Sequence, residues 1–341
     1  MATKKVTSLE VAKLAGVSQS AVSRVFTPGA SASKKINEKV LNAASELGYR
    51  PNILARSLIT GKSRIIGLVV SHLDNYFYPE ALELLSNALQ KKGYHVLVFM
   101  ASKTSGNIDD VVDEILDYQV DAIILASIAM SSNLANRCVA AGVPVMLFNR
   151  SQDDDRFSTV TSDNFLGGQK VARFLIAGGH KRIGYIAGWE GASTQRDREA
   201  GFIEEMTQHG MSLYAREVGN FVQDEARQAA RKMFSKKEIP DAVFVASDDM
   251  AFAVMDVIRF ELELKIPEQV SVVGYDDVPV ASWPAYDLTT VRQPANRMVA
   301  ETVSIILECI ENPETKSLRI EIDGPLILRG SAKISDKSNK E

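Results

Sequence analysis

Hydrophobic positions along the chain follow two successive rhythms. Through residues 6–47 they recur at helical spacing; from Ile65 onward short continuous apolar runs alternate with amphipathic stretches. In the first part, Thr7 and Glu10 have the spacing of a capping box, and Val6 and Val11 stand where a hydrophobic staple closes over it. Gly16 has the backbone freedom to stop that helix, and Ser18 follows as a second N-cap. At about 100° per residue, Gln19, Ser20, Ser23 and Arg24 fall on one side of the second helix and Ala21, Val22 and Val25 on the other. Ala12 and Ala21 are small enough for the two helices to approach closely. Residues 34–47 predict a third helix with Ile36, Val40, Leu41, Ala44 and Leu47 on its apolar face, ended at Gly48. A helical pattern over 53–59, opened by Pro51-Asn52 and closed at Gly61, is too brief to hold alone and needs a partner to form.

The second part alternates strand and helix. Apolar strand runs at 65–70, 96–100, 122–125 and 145–148 are separated by helical patterns at 79–92, 108–118 and 133–141. The alternation then repeats, with strands at 183–187, 242–246, 270–274 and 288–291 and helices at 167–176, 199–209, 225–235 and 250–261. Continuous apolar strands between helices predict parallel sheets buried on both faces. Two such halves predict two α/β subdomains with a cleft between them, and ligands in such sheets sit beyond the strand carboxyl ends. The polar, aperiodic stretch 331–341 is expected to be disordered. It carries no leucine heptads, so nothing in it argues for a coiled coil.

Charge adds a partner to this picture. Residues 1–64 hold eleven lysines and arginines against three acids, a net +8, while the rest of the chain is −12. A basic head on an acidic body is what phosphate neutralisation by one segment requires. Composition is otherwise that of a soluble globular protein, with 45% hydrophobic and 24% charged residues. No apolar run approaches the roughly 20 residues of a membrane span, and the N-terminus lacks the apolar core of a signal peptide. Cys138 and Cys309 lie in apolar helical patterns, as buried thiols in a reducing cytoplasm would.

The head has the arrangement of a helix-turn-helix, with one face packed and the other offering side chains to base edges in a major groove. Arg24 suits a guanine, Gln19 an adenine, and Ser20 is a permissive contact. An ordinary amphipathic hairpin with a solvated polar face fits the same spacing. Features that suggest other chemistry fall away. Gly61-Lys62-Ser63 lacks the earlier glycine of a phosphate loop, since Arg56 stands there. Asp153-Asp154-Asp155 has no glycine-spaced calcium loop around it, and His72, His95, His180 and His209 have no metal spacing. No metal or cofactor is expected, and no nucleophile or phosphate loop marks an enzyme. Trp189 and Trp283 fit either a cleft wall or the rim of the core.

In combination, several strings resemble the lactose-repressor (LacI) family of bacterial transcription regulators, over about residues 6–330. They are Val-Ala-Lys-Leu-Ala-Gly-Val-Ser-Gln-Ser-Ala-Val-Ser-Arg-Val-Phe at 11–26, Leu-Gly-Tyr-Arg-Pro-Asn at 47–52 and Ala-Arg-Ser-Leu at 55–58. Further on come Ser-Asp-Asp-Met-Ala at 247–251, Val-Val-Gly-Tyr-Asp-Asp at 272–277 and Leu-Thr-Thr-Val-Arg-Gln-Pro at 288–294. The resemblance implies a homodimer with an all-α helix-turn-helix head over 1–50, a hinge helix and linker over 51–64, and a core over 65–330. That core would hold two doubly wound parallel-sheet subdomains of periplasmic-binding-protein type, about 65–163 with 293–322 and about 164–292 with 323–330.

Site residues follow from the resemblance. Thr7, Ser18, Gln19, Ser20, Ser23 and Arg24 would meet operator DNA, together with Asn52, Ala55, Arg56 and Leu58 from the hinge. Leu58 would wedge into the minor groove, where unstacking a base step costs a few kcal/mol and gains wrapped surface. Small Ala55 would let paired hinges approach, and Arg56 and Lys62 would touch phosphate. In the cleft, Arg198, one helical turn after Thr194, would grip an effector, with Asp276 binding its hydroxyls and Phe221 stacking on it. Tyr76, Phe77, Tyr78, Asn149, Arg150, Ser247, Asp248 and Gln293 would complete the opening. Helix capping is an equal alternative for Asp248 and Asp249, and a ligand-free ion pair with Asp276 is an alternative for Arg198. Carboxylate, guanidinium, hydroxyl and aromatic face together suit a polyhydroxylated ring; a purine or a phosphorylated metabolite would use similar groups. The expected function is a sequence-specific repressor controlled by a sugar or sugar derivative. A cytoplasmic small-molecule-binding protein with a helical interaction domain is the rival reading.

Overall fold

The computed structural model describes residues 6–26, 30–50, 61–71, 73, 75–101, 108–128 and 132–334. The chain divides into two compact units, Met1–Ser63 and Arg64–Glu341. The short helix expected over 53–59, with the sites expected at Asn52, Ala55, Arg56 and Leu58, lies outside the described residues.

The first unit contains α1 (Ser8–Ala15), α2 (Gln19–Val25) and α3 (Lys34–Leu47). The capping box forms: the Thr7 amide donates to Glu10 Oε2 at 2.7 Å and the Glu10 amide to Thr7 Oγ1 at 3.4 Å. Gly16, at φ 64, ends α1 in the left-handed region. Ser18 Oγ accepts from the Ala21 amide at 3.2 Å and Ser33 Oγ from the Ile36 amide at 3.4 Å, capping the other two helices. Val11, Val22 and Val40, one from each helix, meet in the core without exposure, each worth about 1.5–3 kcal/mol of burial. Leu41, expected on that face, is 51% exposed. The buried stripe of α3 runs through Ile36, Val40, Ala43, Ala44 and Leu47; Leu41 lies one residue round from Val40, on the outer flank.

In chain order, the strands of the second unit are β1 (Ile65–Val70), β2 (His95–Met100), β3 (Ala122–Ala126), β4 (Val145–Phe148), β5 (Ser158–Ser162) and β6 (Ile183–Ala187). They continue with β7 (Ala215–Val218), β8 (Ala242–Val245), β9 (Ser271–Asp276), β10 (Thr289–Arg292), β11 (Arg319–Ile322) and β12 (Leu326–Ile327). The helices are α4 (Phe77–Lys91), α5 (Ile108–Asp117), α6 (Ser132–Ala140), α7 (Asn164–Ala177), α8 (Ser193–Gln208), α9 (Gln223–Phe234), α10 (Asp248–Asp256) and α11 (Ala295–Glu311).

Two six-stranded sheets result, one in the order β11-β5-β4-β3-β1-β2 and one in the order β12-β10-β9-β8-β6-β7. All pairings are parallel except β10 with β12, where Thr290 faces Ile327 and Val291 faces Leu326. Each sheet with its helices forms a lobe, and the chain crosses between lobes after β5, after β10 and after β11. The interior strands β3, β6, β8 and β9 are buried throughout, as their apolar runs predict.

Strands β5, β7 and β11 have no apolar run and escape a pattern search. Sequence Ser158-Thr-Val-Thr-Ser162 is nonetheless fully buried, with Ser158 Oγ accepting from the Leu318 amide at 3.1 Å. Two helices start earlier than their apolar patterns suggest. Asp163 caps α7, its Oδ1 accepting from the Leu166 amide at 2.9 Å, and α8 opens at Ser193 rather than at Glu199. The C-terminal stretch expected to be disordered is partly built in. Ser331 is buried, donating to the Val272 carbonyl at 2.6 Å and accepting from the Thr289 amide at 2.8 Å, and Ala332 is buried beside it. Residues 335–341 lie outside the described residues.

Arg64 opens this unit. Its amide donates to Asp121 Oδ2 at 3.0 Å, its carbonyl accepts from the His95 amide at 2.8 Å, and its guanidinium lies 4.9 Å from the Tyr94 ring centroid. Its φ is 60.

Helices α7 and α8 pack at backbone contact. A Cβ on Gly168 would overlap the carbonyl oxygen of Arg198, and one on Gly201 that of Phe165. Neither obstacle is a flexible side chain, so the helices themselves would have to separate. Gly201→Ala is therefore expected to destabilise the protein by about 1–3 kcal/mol, read as a lower midpoint in denaturant unfolding with an unchanged slope. An unshifted midpoint would contradict the close crossing.

Candidate functional site

The carboxyl ends of the two sheets face a cavity of about 670 Å³, inside the range of about 300–1,000 Å³ usual for ligand pockets. From the first lobe, Ser71, Ser127, Asn149 and Arg150 follow β1, β3 and β4, and Phe77 and Tyr78 open α4. From the second, Thr194 and Arg198 come from α8, Phe221 follows β7, and Ser247 and Asp276 stand at the ends of β8 and β9. Gln293 joins them at the second crossing. Several of these strand ends turn through left-handed backbone: φ is 64 at Ser127, 55 at Asn149, 58 at Phe221 and 128 at Asp276. Non-glycine residues hold such conformations where the surroundings over-determine them, as ligand sites do.

Arg198 is the centre of the second lobe's wall. It is 2% exposed and its guanidinium lies 3.6 Å from the Tyr275 ring centroid. Its Nε donates to Asn164 Oδ1 at 2.8 Å and its Nη1 to the Ala246 carbonyl at 2.5 Å. Its Nη2 stands 3.6 Å from Asp276 Oδ1. Asn164 is itself fixed by donating to the Ser162 carbonyl at 2.8 Å. The ion pair weighed as an alternative for Arg198 is thus present, and it lies in the wall of the cavity.

Asp276 Oδ1 accepts from Gln293 Nε2 at 2.6 Å. Burial pushes its carboxyl above the ordinary range; Arg198, then hydrogen bonds from Gln293 and Asn75, pull it partway back. Gln293 also accepts from Ser162 Oγ at 3.2 Å. Arg150, 5% exposed, donates through Nη2 to the Ser127 carbonyl and Oγ, both at 3.1 Å. Asn149 Nδ2 donates to the Tyr78 hydroxyl at 3.2 Å. Trp189 lines the cavity, 5.9 Å from the Arg150 guanidinium; Trp283 is exposed elsewhere.

Two residues expected in the cleft stand outside its lining. Tyr76 is 47% exposed, one residue before the start of α4. Asp248 is fully buried behind the wall, Oδ1 accepting from Thr290 Oγ1 at 2.7 Å and Oδ2 from the Val278 amide at 3.0 Å. Burial first, and Asp276 second, raise its carboxyl well above the usual value. It ties α10 to the end of β9 and to β10, while the cap of α10 is Ser247, accepting from the Met250 amide at 3.4 Å. Asp277 likewise holds structure, pairing with Arg292 and Arg329 at 2.6 Å each.

Ser71, Ser127, Asn220 and Glu225 line the cavity without having been singled out from the sequence. The signal for the two serines was positional: each directly follows the last residue of an apolar strand, Val70 or Ala126. Asn220 and Glu225 pair with each other at 2.6 Å, following a strand with no apolar run to mark it.

In the first unit, Ser18, Gln19, Ser20, Ser23 and Arg24 form the exposed side of α2, opposite buried Ala21 and Val22. Gln19 Nε2 donates to Ser8 Oγ at 2.9 Å and Arg24 Nε to the Ser20 carbonyl at 3.4 Å, which holds both long side chains along that side. Thr7 is exposed at the start of α1. The polar face of the second helix is therefore presented outward, while three valines and the small alanines close the inner side.

Known proteins share this layout. Residues 172–332 match a periplasmic binding protein-like domain, and residues 8–52 match the family described as bacterial regulatory proteins, lacI family. The transcriptional regulator CelR, solved in complex with cellobiose, is 30% identical, covering 96% of this chain and 100% of that one at a TM-score of 0.73. The lac repressor dimer bound to operator and the anti-inducer ONPF is 28% identical, covering 96% and 99%, at a TM-score of 0.86. The ribose operon repressor of Escherichia coli (strain K12) is 29% identical over 337 residues, 97% of this chain and 100% of that protein. With the head, the two sheets and their order along the chain all matched over nearly full length, this protein belongs to the lacI family of bacterial regulatory proteins.

Proposed function

We propose that the protein is a transcriptional repressor that binds a pseudo-palindromic operator as a homodimer, under the control of a sugar or sugar derivative held in the cavity between its lobes. The observation that carries this reading is the buried Arg198–Asp276 pair opening into that cavity beside Phe77 and Phe221. A fixed guanidinium, a carboxylate and aromatic faces together fit a ring with hydroxyls on its edge and C–H bonds on its face. Among the relatives, the CelR structure holds cellobiose and the lac repressor dimer holds operator.

In this reading Gln19, Ser20, Ser23 and Arg24 meet base edges from α2. Thr7 and Ser18 stand at helix N-termini, where backbone amides suit phosphate. Asn52, Ala55, Arg56 and Leu58 belong to the hinge that pairs across the dimer. Thr194, Arg198, Phe221, Ser247, Asp276 and Gln293 hold the effector against Phe77, Tyr78, Asn149 and Arg150. A ligand that prefers one disposition of the lobes shifts the protein between operator-binding states, a coupling typically worth about 1–3 kcal/mol.

Replacing Arg24 by Ala is expected to cost about 1–3 kcal/mol of operator affinity and to relax the preference at one base pair per half-site. Leu58→Ala is expected to weaken the same complex by removing the wedge at the operator centre. Both are read by competition binding of the intact dimer at fixed salt; undiminished affinity in both variants would remove the DNA-reading roles.

Effector affinity is expected to fall on acidification. The ionised Asp276 carboxylate accepts from ligand hydroxyls, so binding is complete above its raised value and weakens as pH drops through it. The loss therefore begins at a higher pH than for an ordinary carboxylate. Titrating an effector by calorimetry between about pH 4 and pH 8, on the protein and on Asp276→Asn, is expected to show a pH slope in the first and a weaker, flatter profile in the second.

A further inference from the structure

Arg150 is a buried cation with spare capacity. Its Nη2 is engaged by Ser127, but Nε and Nη1, although buried, have no hydrogen-bond partner among the described residues. Neighbouring Asn149 has the complementary vacancy: Nδ2 is used by Tyr78, and the acceptor Oδ1 is buried without a partner, open to a ligand hydroxyl. The arrangement differs from that of Arg198, whose charge faces the Asp276 carboxylate and whose Nε and Nη1 are occupied.

No carboxylate among the described residues pairs with Arg150. Apart from the Tyr78 hydroxyl, the ionisable groups that act on it are Arg198 and Arg196, both of like charge. Burial, the largest influence, pushes its guanidinium below the ordinary value. The Trp189 ring lies 5.9 Å away. A buried guanidinium without counter-charge is costly, and breaking such a pair from one side costs far more than lacking both partners. This cation stands in a ligand cavity with several N–H bonds unspent, and an anion is the group that would meet both its charge and its donors.

We propose that the effector carries an anionic group, a carboxylate or a phosphate, that is received by Arg150, while its hydroxylated body reaches Arg198 and Asp276. This rests on the effector-sensing reading above and narrows it to acidic sugars or sugar phosphates. It also assigns the two ends of the ligand to different lobes, since Arg150 follows β4 and Arg198 lies on α8.

The test is calorimetric titration of the full-length protein, at fixed ionic strength, with matched pairs. D-galacturonate and D-glucuronate supply carboxylates, D-glucose 6-phosphate supplies a phosphate, and D-galactose and D-glucose are the neutral members. An anion is expected to bind about tenfold or more tightly than its neutral partner, as charge-assisted hydrogen bonds require; which acid wins decides between carboxylate and phosphate. Arg150→Gln is expected to abolish that preference, the acid falling to about the affinity of its neutral partner on the same variant, and Arg150→Lys to restore part of it. A cooperative thermal unfolding transition shows that the Gln variant is folded. Neutral sugars bound as well as or better than every acid would overturn the anionic effector and leave the sensing role standing. A preference that survives Arg150→Gln would overturn the role of Arg150. Failure of both series to bind would count against the sensing role itself, and this inference with it.

Discussion

A guanidinium group withdrawn from water must find its compensation inside the protein, and Arg198 draws it from several strand ends at once. Asn164 stands just beyond β5, the Ala246 carbonyl just beyond β8, and Tyr275 and Asp276 at the end of β9. Both sheets thus contribute to solvating one cation. The crossing of α7 and α8 at glycine distance brings the helix bearing Arg198 within reach of those partners. Loosening the crossing would leave a charge without its ligands, so packing at Gly168 and Gly201 and electrostatics at the cavity are one constraint.

The same economy governs the joint between the lobes. Among the described residues, polar links that span it include the Ser151 amide donating to Ser193 Oγ at 2.9 Å, Ser162 Oγ donating to Gln293 at 3.2 Å, and Asn75 bonding to Asp276. The neutral bonds of this kind contribute about 0.5–1.5 kcal/mol each, and one to a carboxylate about 1.5–3 kcal/mol. A handful of them is comparable with the differential affinity of a small ligand, so binding has the energy needed to change how the lobes meet.

Much of this architecture was legible in the sequence because the interior strands are buried on both faces and spell uninterrupted apolar runs. The edge strands β7 and β11, and β5 with its alternating hydroxyls, hid for the opposite reason: half-exposed or hydroxyl-bearing strands dilute the apolar signal. The first turns of α8 were missed because Thr194, Gln195 and Arg198 are polar residues on the buried face, kept there by partners that only the fold supplies. Residue type also misdirected. A carboxylate at Asp248 reads as a ligand group, yet its two oxygens are spent on Thr290 and Val278. The aromatic run 76–78 sends two rings inward and leaves Tyr76 half-exposed, since three successive residues at a helix start cannot share one face. For the DNA side, amphipathic spacing alone separated the outward residues of α2 from the inward ones.

The attachment of Arg64 has a mechanical consequence. The residue just before β1 is held at its amide, its carbonyl and its side chain by Asp121, His95 and Tyr94. Arg64 therefore travels with the first sheet as part of one body, and any tilt of that sheet carries this residue along undamped.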